Sequence, residues 1–243
     1  MGLQSQSIMT TIARNLQGVR DRITTACIAA VRERSDVQLL AVSKTVSAEA
    51  VLEAVADGQR LFGENYIAEA VEKMARVQTR LPADVKLQWH CIGPVQSNKT
   101  RLVAEHFDWV QSIDRLKTAE RLSAQRPAHL PPLQVCIQVN IDGGTNKAGV
   151  PPEELAKLAA ALGRLPNLRL RGIMAIPEQA PDFVAACALF KRVKRLFDAL
   201  NQPGVLAQPL DTLSLGMTAD LEAAIHSGST MVRVGSAIFG RRG

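Results

Sequence analysis

The sequence predicts an α/β protein built as one (β/α)8 TIM barrel with an extra helix at its N-terminus. Eight short apolar runs occur along the 243 residues, segments with helical periodicity lie between them, and no linker divides the chain. Strands that alternate with helices predict a parallel sheet, and about 250 residues is a usual size for one barrel. We therefore expect a single domain over residues 1–243, with the N-terminal helix in 1–35 and the barrel in 36–243.

The predicted strands are the apolar runs, several of which are apolar on both faces, as buried parallel strands are. In chain order they are Gln38–Ser43, Arg60–Gly63, Leu87–Gly93, Trp109–Ile113, Leu133–Asn140, Leu168–Ile176, Thr212–Leu215 and Met231–Ile238. The second and seventh runs are short, which makes them the weakest part of the barrel prediction.

The segments between the strands carry helix signals. Residues Ser7–Arg32 precede the first strand and predict the extra helix. Pro151–Glu154 opens a helix with a leucine stripe, which Gly163 can close. Thr218 stands where it can cap the N-terminus of a helix that ends before Gly228.

Composition and charge exclude several classes of protein. The longest apolar run, Phe183–Phe190, is far shorter than the ~20 residues that cross a bilayer. The N-terminus lacks the apolar region of a secretory signal, so we expect a cytoplasmic protein without a membrane partner. The net charge is only +6 and aromatic residues make up 4%. The basic stretch Lys191–Arg195 therefore predicts a solvated helix face rather than a nucleic-acid surface.

Cysteine and histidine positions predict no metal site and no disulfide. The cysteines are far apart and each has apolar neighbours, which is typical of buried thiols in a reducing compartment; they are Cys27, Cys91, Cys136 and Cys187. Three histidines show no metal-ligand spacing: His106, His129 and His226. The fourth, His90, lies in an apolar strand and is either a core histidine or a catalytic base.

Ligand-binding residues of a (β/α)8 barrel follow the carboxyl ends of its strands. Lys44 comes directly after the first strand. Partial desolvation there favours the neutral amine, which is a nucleophile that forms Schiff bases with aldehydes. Alternatively, this lysine extends to the rim of the barrel or pairs with a carboxylate.

The segments after the seventh and eighth strands, SLGMT (214–218) and VGS (234–236), are rich in glycine and hydroxyl groups. Barrels often bind a phosphate at this place through loop amides and a helix N-terminus, although both segments could be ordinary tight turns. Arg233 lies within the last strand and needs a partner, either a pyridine nitrogen inside the barrel or a carboxylate outside it. A Schiff-base lysine facing a phosphate site describes a pocket for pyridoxal phosphate (PLP).

The chain closely resembles the pyridoxal phosphate homeostasis protein family, whose fold is the N-terminal barrel of alanine racemase. The matching segments span nearly the whole barrel; they are AVSKT (41–45), FGENY (62–66), WHCIGPVQSNK (89–99), QSID (111–114), RGIMAIP (171–177), LSLGMTADLEAAI (213–225) and GSTMVRVGSAIFG (228–240). Two local departures are Cys91 and Thr218, where a larger apolar residue and a serine are commoner.

The resemblance implies the cofactor and its site. Lys44 would be linked to PLP as an internal aldimine, Arg233 would face the pyridine nitrogen, and Asn65 would lie near the ring. Residues of the last two loops would surround the phosphate, namely Ser214, Gly216, Met217, Thr218, Gly235 and Ser236. His90 and Ser112 would line the same mouth. The resemblance also implies a monomer that supplies PLP to PLP-dependent apoenzymes.

Three functions remain open: a PLP carrier, a PLP enzyme such as an amino-acid racemase, and a Schiff-base aldolase. Barrel aldolases commonly carry their lysine on the sixth strand, and Leu168–Ile176 contains none. Alanine racemase takes a second proton donor from a tyrosine of its C-terminal domain, whereas this sequence ends at Gly243 and has Tyr66 as its one tyrosine. A guanidinium facing the pyridine nitrogen also makes the ring a poorer electron sink. We therefore expect a non-catalytic PLP-binding protein.

Overall fold

The protein is a closed barrel of eight parallel strands in a computed structural model that describes residues 10–144 and 147–240. The strands are β1 (Gln38–Val42), β2 (Leu61–Glu64), β3 (Gln88–Cys91), β4 (Trp109–Ile113), β5 (Leu133–Gln138), β6 (Leu168–Met174), β7 (Thr212–Ser214) and β8 (Met231–Val234). Each strand pairs with the next along the chain, and β8 pairs with β1 to close the barrel. The predicted fold class and all eight predicted strands are confirmed.

Helices alternate with these strands in the described part of the chain. They are α1 (Thr11–Ala29), α2 (Ala48–Ala56), α3 (Ile67–Gln78), α4 (Thr100–His106), α5 (Leu116–Gln125), α6 (Pro152–Leu162), α7 (Phe183–Leu200), α8 (Leu221–His226) and α9 (Ser236–Phe239). None of them is long and apolar enough to cross a membrane.

The extra N-terminal helix is α1, and it packs against α8, α9 and α2 outside the junction of β8 with β1. It begins after Thr10, whose Oγ1 accepts a hydrogen bond from the Ala13 N–H at 3.2 Å. The predicted helix starts at Ser7; residues 7–9 lie outside the described residues, as do residues 241–243 of the predicted domain.

Around the last two strands, one predicted strand end and one predicted helix start are wrong. The apolar pattern extends the last strand to Ile238, but β8 ends at Val234 and the chain turns at Gly235 into α9. Thr218 is not a helix cap, because α8 begins only after Asp220, whose Oδ1 accepts a hydrogen bond from the Met217 N–H at 2.6 Å. The loop after β7 is therefore longer than predicted, and the hydrogen bond from Met217 to the Asp220 side chain closes it.

The core has two layers, as expected for a barrel whose strands are buried on both faces. The larger lies between sheet and helices, and a small cluster contains Trp109, Cys136 and Met174 from β4, β5 and β6. All four cysteines are buried and free. Burial raises the pKa of the Cys136 thiol to about 12, as it does for Cys91, so both behave as apolar side chains.

Candidate functional site

The turn after β1 carries Lys44. The Val46 N–H donates to the Ser43 carbonyl at 3.0 Å, which closes a turn with Lys44 and Thr45 in its middle. Thr45 has a φ of 63°, in the left-handed region that a β-branched residue rarely adopts. This conformation places Lys44 at the carboxyl end of the barrel, as the sequence predicts.

Lys44 shares a cavity of about 290 Å³ with residues that follow β8. The lining residues include Gly235 and Ser236, together with the turn residues Thr45 and Val46. A lysine, a serine and a loop of small residues therefore line one space. Such a cavity suits a ligand with an electrophilic carbon at one end and an anionic group at the other.

Thr218 joins this site from the loop after β7. The Ser236 hydroxyl donates a hydrogen bond to Thr218 Oγ1 at 3.4 Å. The same loop contains Gly216, which has a φ of +88°, and a Cβ there would lie 2.5 Å from the Cβ of Ala224. Glycine is therefore required both by the backbone conformation and by the close approach of α8. Met217 of this loop is 41% exposed.

Arg233 is buried and its guanidinium points into the barrel. Its Nη1 donates to the carbonyl and the hydroxyl of Ser214, each at 2.7 Å, and its Nη2 donates to the Ala175 carbonyl at 3.0 Å. Ser214 Oγ in turn donates to Gln111 Oε1 of β4 at 2.7 Å, so the network crosses the barrel interior. Burial lowers the pKa of Arg233 to about 10, which still leaves it cationic at neutral pH. Among the ion pairs of the described residues, none includes Arg233.

His90 does not line the mouth of the barrel, and that expectation is wrong. Its ring is fully buried, stacks on Trp109 with centroids 5.0 Å apart, and has its Nδ1 3.0 Å from Gln111 Nε2. Burial lowers the pKa of His90 to about 3, so the ring is neutral. Ser112 is also buried, and it donates to the Gly93 carbonyl at 2.6 Å.

Asn65 lies one strand away from the Lys44 cavity. With Tyr66 and Pro94 it lines a separate cavity of about 360 Å³ between the loops after β2 and β3. Its Oδ1 is a buried acceptor without a hydrogen-bond partner in the described structure. The place of Asn65 near the ring stays a prediction.

The sequence interpretation missed a buried ion pair next to Lys44. Lys73 of α3 lies 2.9 Å from Glu64 at the end of β2, and both side chains are buried. Burial raises the pKa of Glu64, and the Lys73 ammonium opposes that rise. The signal was present in the sequence, because Lys73 occupies the helical register of the buried residues Ala70 and Val77. No group of three or more metal-ligating side chains occurs among residues 10–144 and 147–240.

Comparisons with known proteins identify the family of this chain. The family model described as "Alanine racemase, N-terminal domain" matches residues 11–243. A relative from Pseudomonas aeruginosa, named pyridoxal phosphate homeostasis protein, is 56% identical over 234 residues, which are 96% of this chain and 97% of the relative. The chain belongs to the pyridoxal phosphate homeostasis protein family.

Solved structures agree with the family and the fold. PipY of Synechococcus elongatus, solved with PLP bound, is 35% identical with a TM-score of 0.79, over 94% of this chain and all of PipY. Alanine racemase of Clostridium difficile is 16% identical with a TM-score of 0.68, over 94% of this chain and 57% of the racemase. The racemase likeness shows the shared barrel alone, whereas PipY is similar in sequence as well and was solved with PLP bound.

Proposed function

We propose that this family member binds PLP through a Schiff base at Lys44 and supplies it to PLP-dependent apoenzymes. The observation that carries the proposal is the cavity that Lys44 shares with Gly235 and Ser236. PLP brings an electrophilic aldehyde carbon. The Lys44 Nζ would form a C=N bond with that carbon, and the aldehyde oxygen would leave as water.

The described residues fit the rest of PLP. The hydroxyls of Ser236 and Thr218 lie 3.4 Å apart, close enough to bind oxygens of one phosphate. Gly216 and Gly235 let their loops pack closely against Ala224 and Val42, and we assign the backbone amides of these loops to the phosphate. The guanidinium of Arg233 is held by three hydrogen bonds to Ser214 and Ala175, and we assign it to the pyridine nitrogen. Ser214 positions Arg233, and Met217 and Asn65 complete the proposed set.

Several features favour a carrier over an enzyme. Racemisation needs an acid on the face opposite the lysine. His90 is a poor candidate because it is buried and neutral, and Tyr66, the one tyrosine of the sequence, is 53% exposed and lines the cavity of Asn65 rather than that of Lys44. The named relatives are called homeostasis proteins rather than by a reaction. We further infer a monomer in the cytoplasm, where four free cysteines fit a reducing environment.

Borohydride reduction tests the covalent part of the proposal. The protein loaded with PLP should show imine absorption in the visible or near-ultraviolet range, and borohydride should convert it to a stable adduct on the Lys44 peptide. Lys44→Ala should lose the band and the adduct while keeping its circular dichroism spectrum. The matched control is Lys157→Ala, which removes an exposed lysine of α6 and should leave both signals unchanged. An adduct found only on another lysine would disprove the Lys44 assignment.

Supply of PLP is tested separately by transfer. Loaded protein is mixed with an apoenzyme that needs PLP, and recovered activity is compared with that from an equal amount of free PLP, with a PLP-sequestering protein present in both. Recovery that survives the sequestering protein supports direct transfer. Recovery that the sequestering protein abolishes would contradict it.

A further inference from the structure

A buried ion pair lies beneath the turn that carries Lys44. Lys73 is 1% exposed and Glu64 is fully buried. Lys73 reaches this place from α3, and Glu64 is the last residue of β2. A buried ion pair is often no more stabilising than an apolar pair of the same size. Stability alone therefore does not explain why Glu64 and Lys73 are present.

Three oxygen atoms lie around the Lys73 Nζ, which has three N–H groups to donate. Its Nζ donates to the Ser43 carbonyl at 2.7 Å and to Glu64 Oε1 at 2.9 Å, and Glu69 Oε1 lies at 3.5 Å. The Ser43 hydroxyl also donates to Glu64 Oε1, at 2.6 Å. Ser43 is therefore held through its backbone by Lys73 and through its side chain by Glu64.

The held carbonyl is the one that closes the Lys44 turn. The Ser43 carbonyl accepts from Lys73 and from the Val46 N–H, which uses both of its lone pairs. Thr45 lies between Ser43 and Val46 in this turn and keeps its unfavourable left-handed φ of 63°. Without Lys73, the Ser43 carbonyl would keep only its hydrogen bond from Val46, so the turn would be freer to relax Thr45 toward a favoured region, and that relaxation would move Lys44.

We propose that Lys73 and Glu64 are positioning residues, which hold Ser43 by its carbonyl and by its hydroxyl so that Lys44 meets an incoming PLP aldehyde at the right place. This inference rests on the proposed function, because it assigns a role toward the Schiff base at Lys44. Misplacing a reacting group by about 1 Å can slow a reaction about a hundredfold. Loss of the pair should therefore slow imine formation about ten- to a hundredfold without removing Lys44.

The test is the rate of imine formation in the double variant Lys73→Met/Glu64→Gln. Removing both charges together avoids an unpaired buried ion, and glutamine keeps an acceptor for the Ser43 hydroxyl. Stopped-flow absorbance after addition of PLP gives the rate, borohydride trapping and peptide mapping give the lysine, and urea unfolding gives the stability. We expect a folded protein that still traps PLP at Lys44 about ten- to a hundredfold more slowly.

A matched control separates positioning from a general loss of stability. Arg126 is another buried cation on backbone carbonyls, those of Ala104, Phe107 and Pro131, at the amino ends of β4 and β5. Arg126→Met should lower the stability but keep the wild-type rate. Slowing by Arg126→Met equal to that of the double variant would overturn the proposal.

Two more variants test the turn itself. Thr45→Gly added to the double variant should recover most of the rate, because glycine adopts this φ without a Cβ penalty. Ser43→Ala keeps both charges and removes the hydroxyl that Glu64 holds, so it should slow imine formation several-fold. It takes the place of the double variant if that variant does not fold. A wild-type rate in the double variant, or in Ser43→Ala, would overturn the proposal. A wild-type protein that forms no imine at Lys44 would instead overturn the proposed function.

Discussion

Two hydroxyl groups from different loops show how this site depends on single residues. Ser236 opens α9 and Thr218 lies between β7 and α8, yet their side-chain oxygens are 3.4 Å apart. Both oxygens are at the solvent-facing end of the barrel, so each can turn toward a ligand at little cost in packing. A bound phosphate would accept hydrogen bonds from both.

Removing both hydroxyls should weaken PLP binding. Ser236→Ala/Thr218→Ala should lower the affinity by about 1–3 kcal/mol, the usual cost of losing hydrogen bonds to a charged group. Spectroscopic titration of the protein with PLP measures the affinity. Pyridoxal, which lacks the phosphate, should bind the wild type far more weakly and should be nearly insensitive to the double substitution. Equal affinity of the wild type for pyridoxal and PLP would place the phosphate elsewhere.

Residues that follow a strand directly could be predicted, whereas contacts between distant segments could not. Lys44 was predicted because the barrel rule places strand ends at one mouth, and Gly235 and Ser236 because barrels often bind a phosphate at their last two strands. The contact between Glu64 and Lys73 depends on how α3 packs on the barrel, which strand spacing does not specify. The left-handed Thr45 has no sequence signal at all, since threonine is disfavoured there.

Among the secondary-structure elements, the contact of β6 with β7 depends on one glycine. Gly172 pairs with Thr212, and a Cβ on Gly172 would lie 1.6 Å from the Thr212 carbonyl oxygen. The atoms it would meet belong to the backbone, which cannot move aside as a flexible side chain can. β7 has only three residues, so it offers few other hydrogen bonds to keep the pair together.

Gly172→Ala should therefore be strongly destabilising. We expect a loss of at least about 3 kcal/mol in the free energy of unfolding, at the upper end for overpacked sites. Gly18→Ala is the matched control, because Gly18 lies in α1 with nothing within 4 Å of its added Cβ. It should stabilise the protein by about 0.5–1 kcal/mol. Urea denaturation measures both, and a Gly172→Ala protein as stable as the wild type would contradict this account.

Elements were predicted more reliably than their ends. The run from Met231 to Ile238 is apolar throughout, so hydrophobicity alone could not show that the strand stops at Val234. The chain leaves the sheet because Gly235 and Ser236 turn into α9, and this turn forms part of the candidate site. The predicted strand end was therefore wrong at a place where the backbone turns to form the candidate site instead of continuing in the sheet.

For the whole molecule, the burial of His90 predicts a pH-dependent stability. The pKa of His90 falls from 6.5 to about 3 on folding, because burial disfavours the charged ring. Between these values the unfolded chain binds one more proton than the folded chain, so the stability rises with pH and is lost on acidification. The slope approaches about 1.4 kcal/mol per pH unit.

The variant His90→Asn isolates this contribution. Asparagine does not titrate, so the variant should lose less stability than the wild type between pH 6 and 5. The difference between the two losses should approach the effect of one proton, about 1.4 kcal/mol. Urea unfolding at closely spaced pH values measures both slopes. The His90→Asn variant should be less stable at pH 7 because it loses the stacking on Trp109. This loss does not affect the comparison of slopes. Identical slopes would mean that His90 titrates in the folded protein.

The whole site, taken together, predicts binding without turnover. Displacement of Lys44 by an added amino acid would shift the absorption spectrum, so a spectral change alone does not show activity. The deciding measurement is exchange of the α-proton in deuterium oxide across L- and D-amino acids, with Lys44→Ala as the control. Because His90 is buried and neutral and Tyr66 lines a different cavity from Lys44, we expect exchange that is absent or stoichiometric. Lysine-dependent exchange over many turnovers would contradict the carrier proposal, and Tyr66→Phe would then show whether Tyr66, the exposed phenol near the mouth, supplies the missing proton.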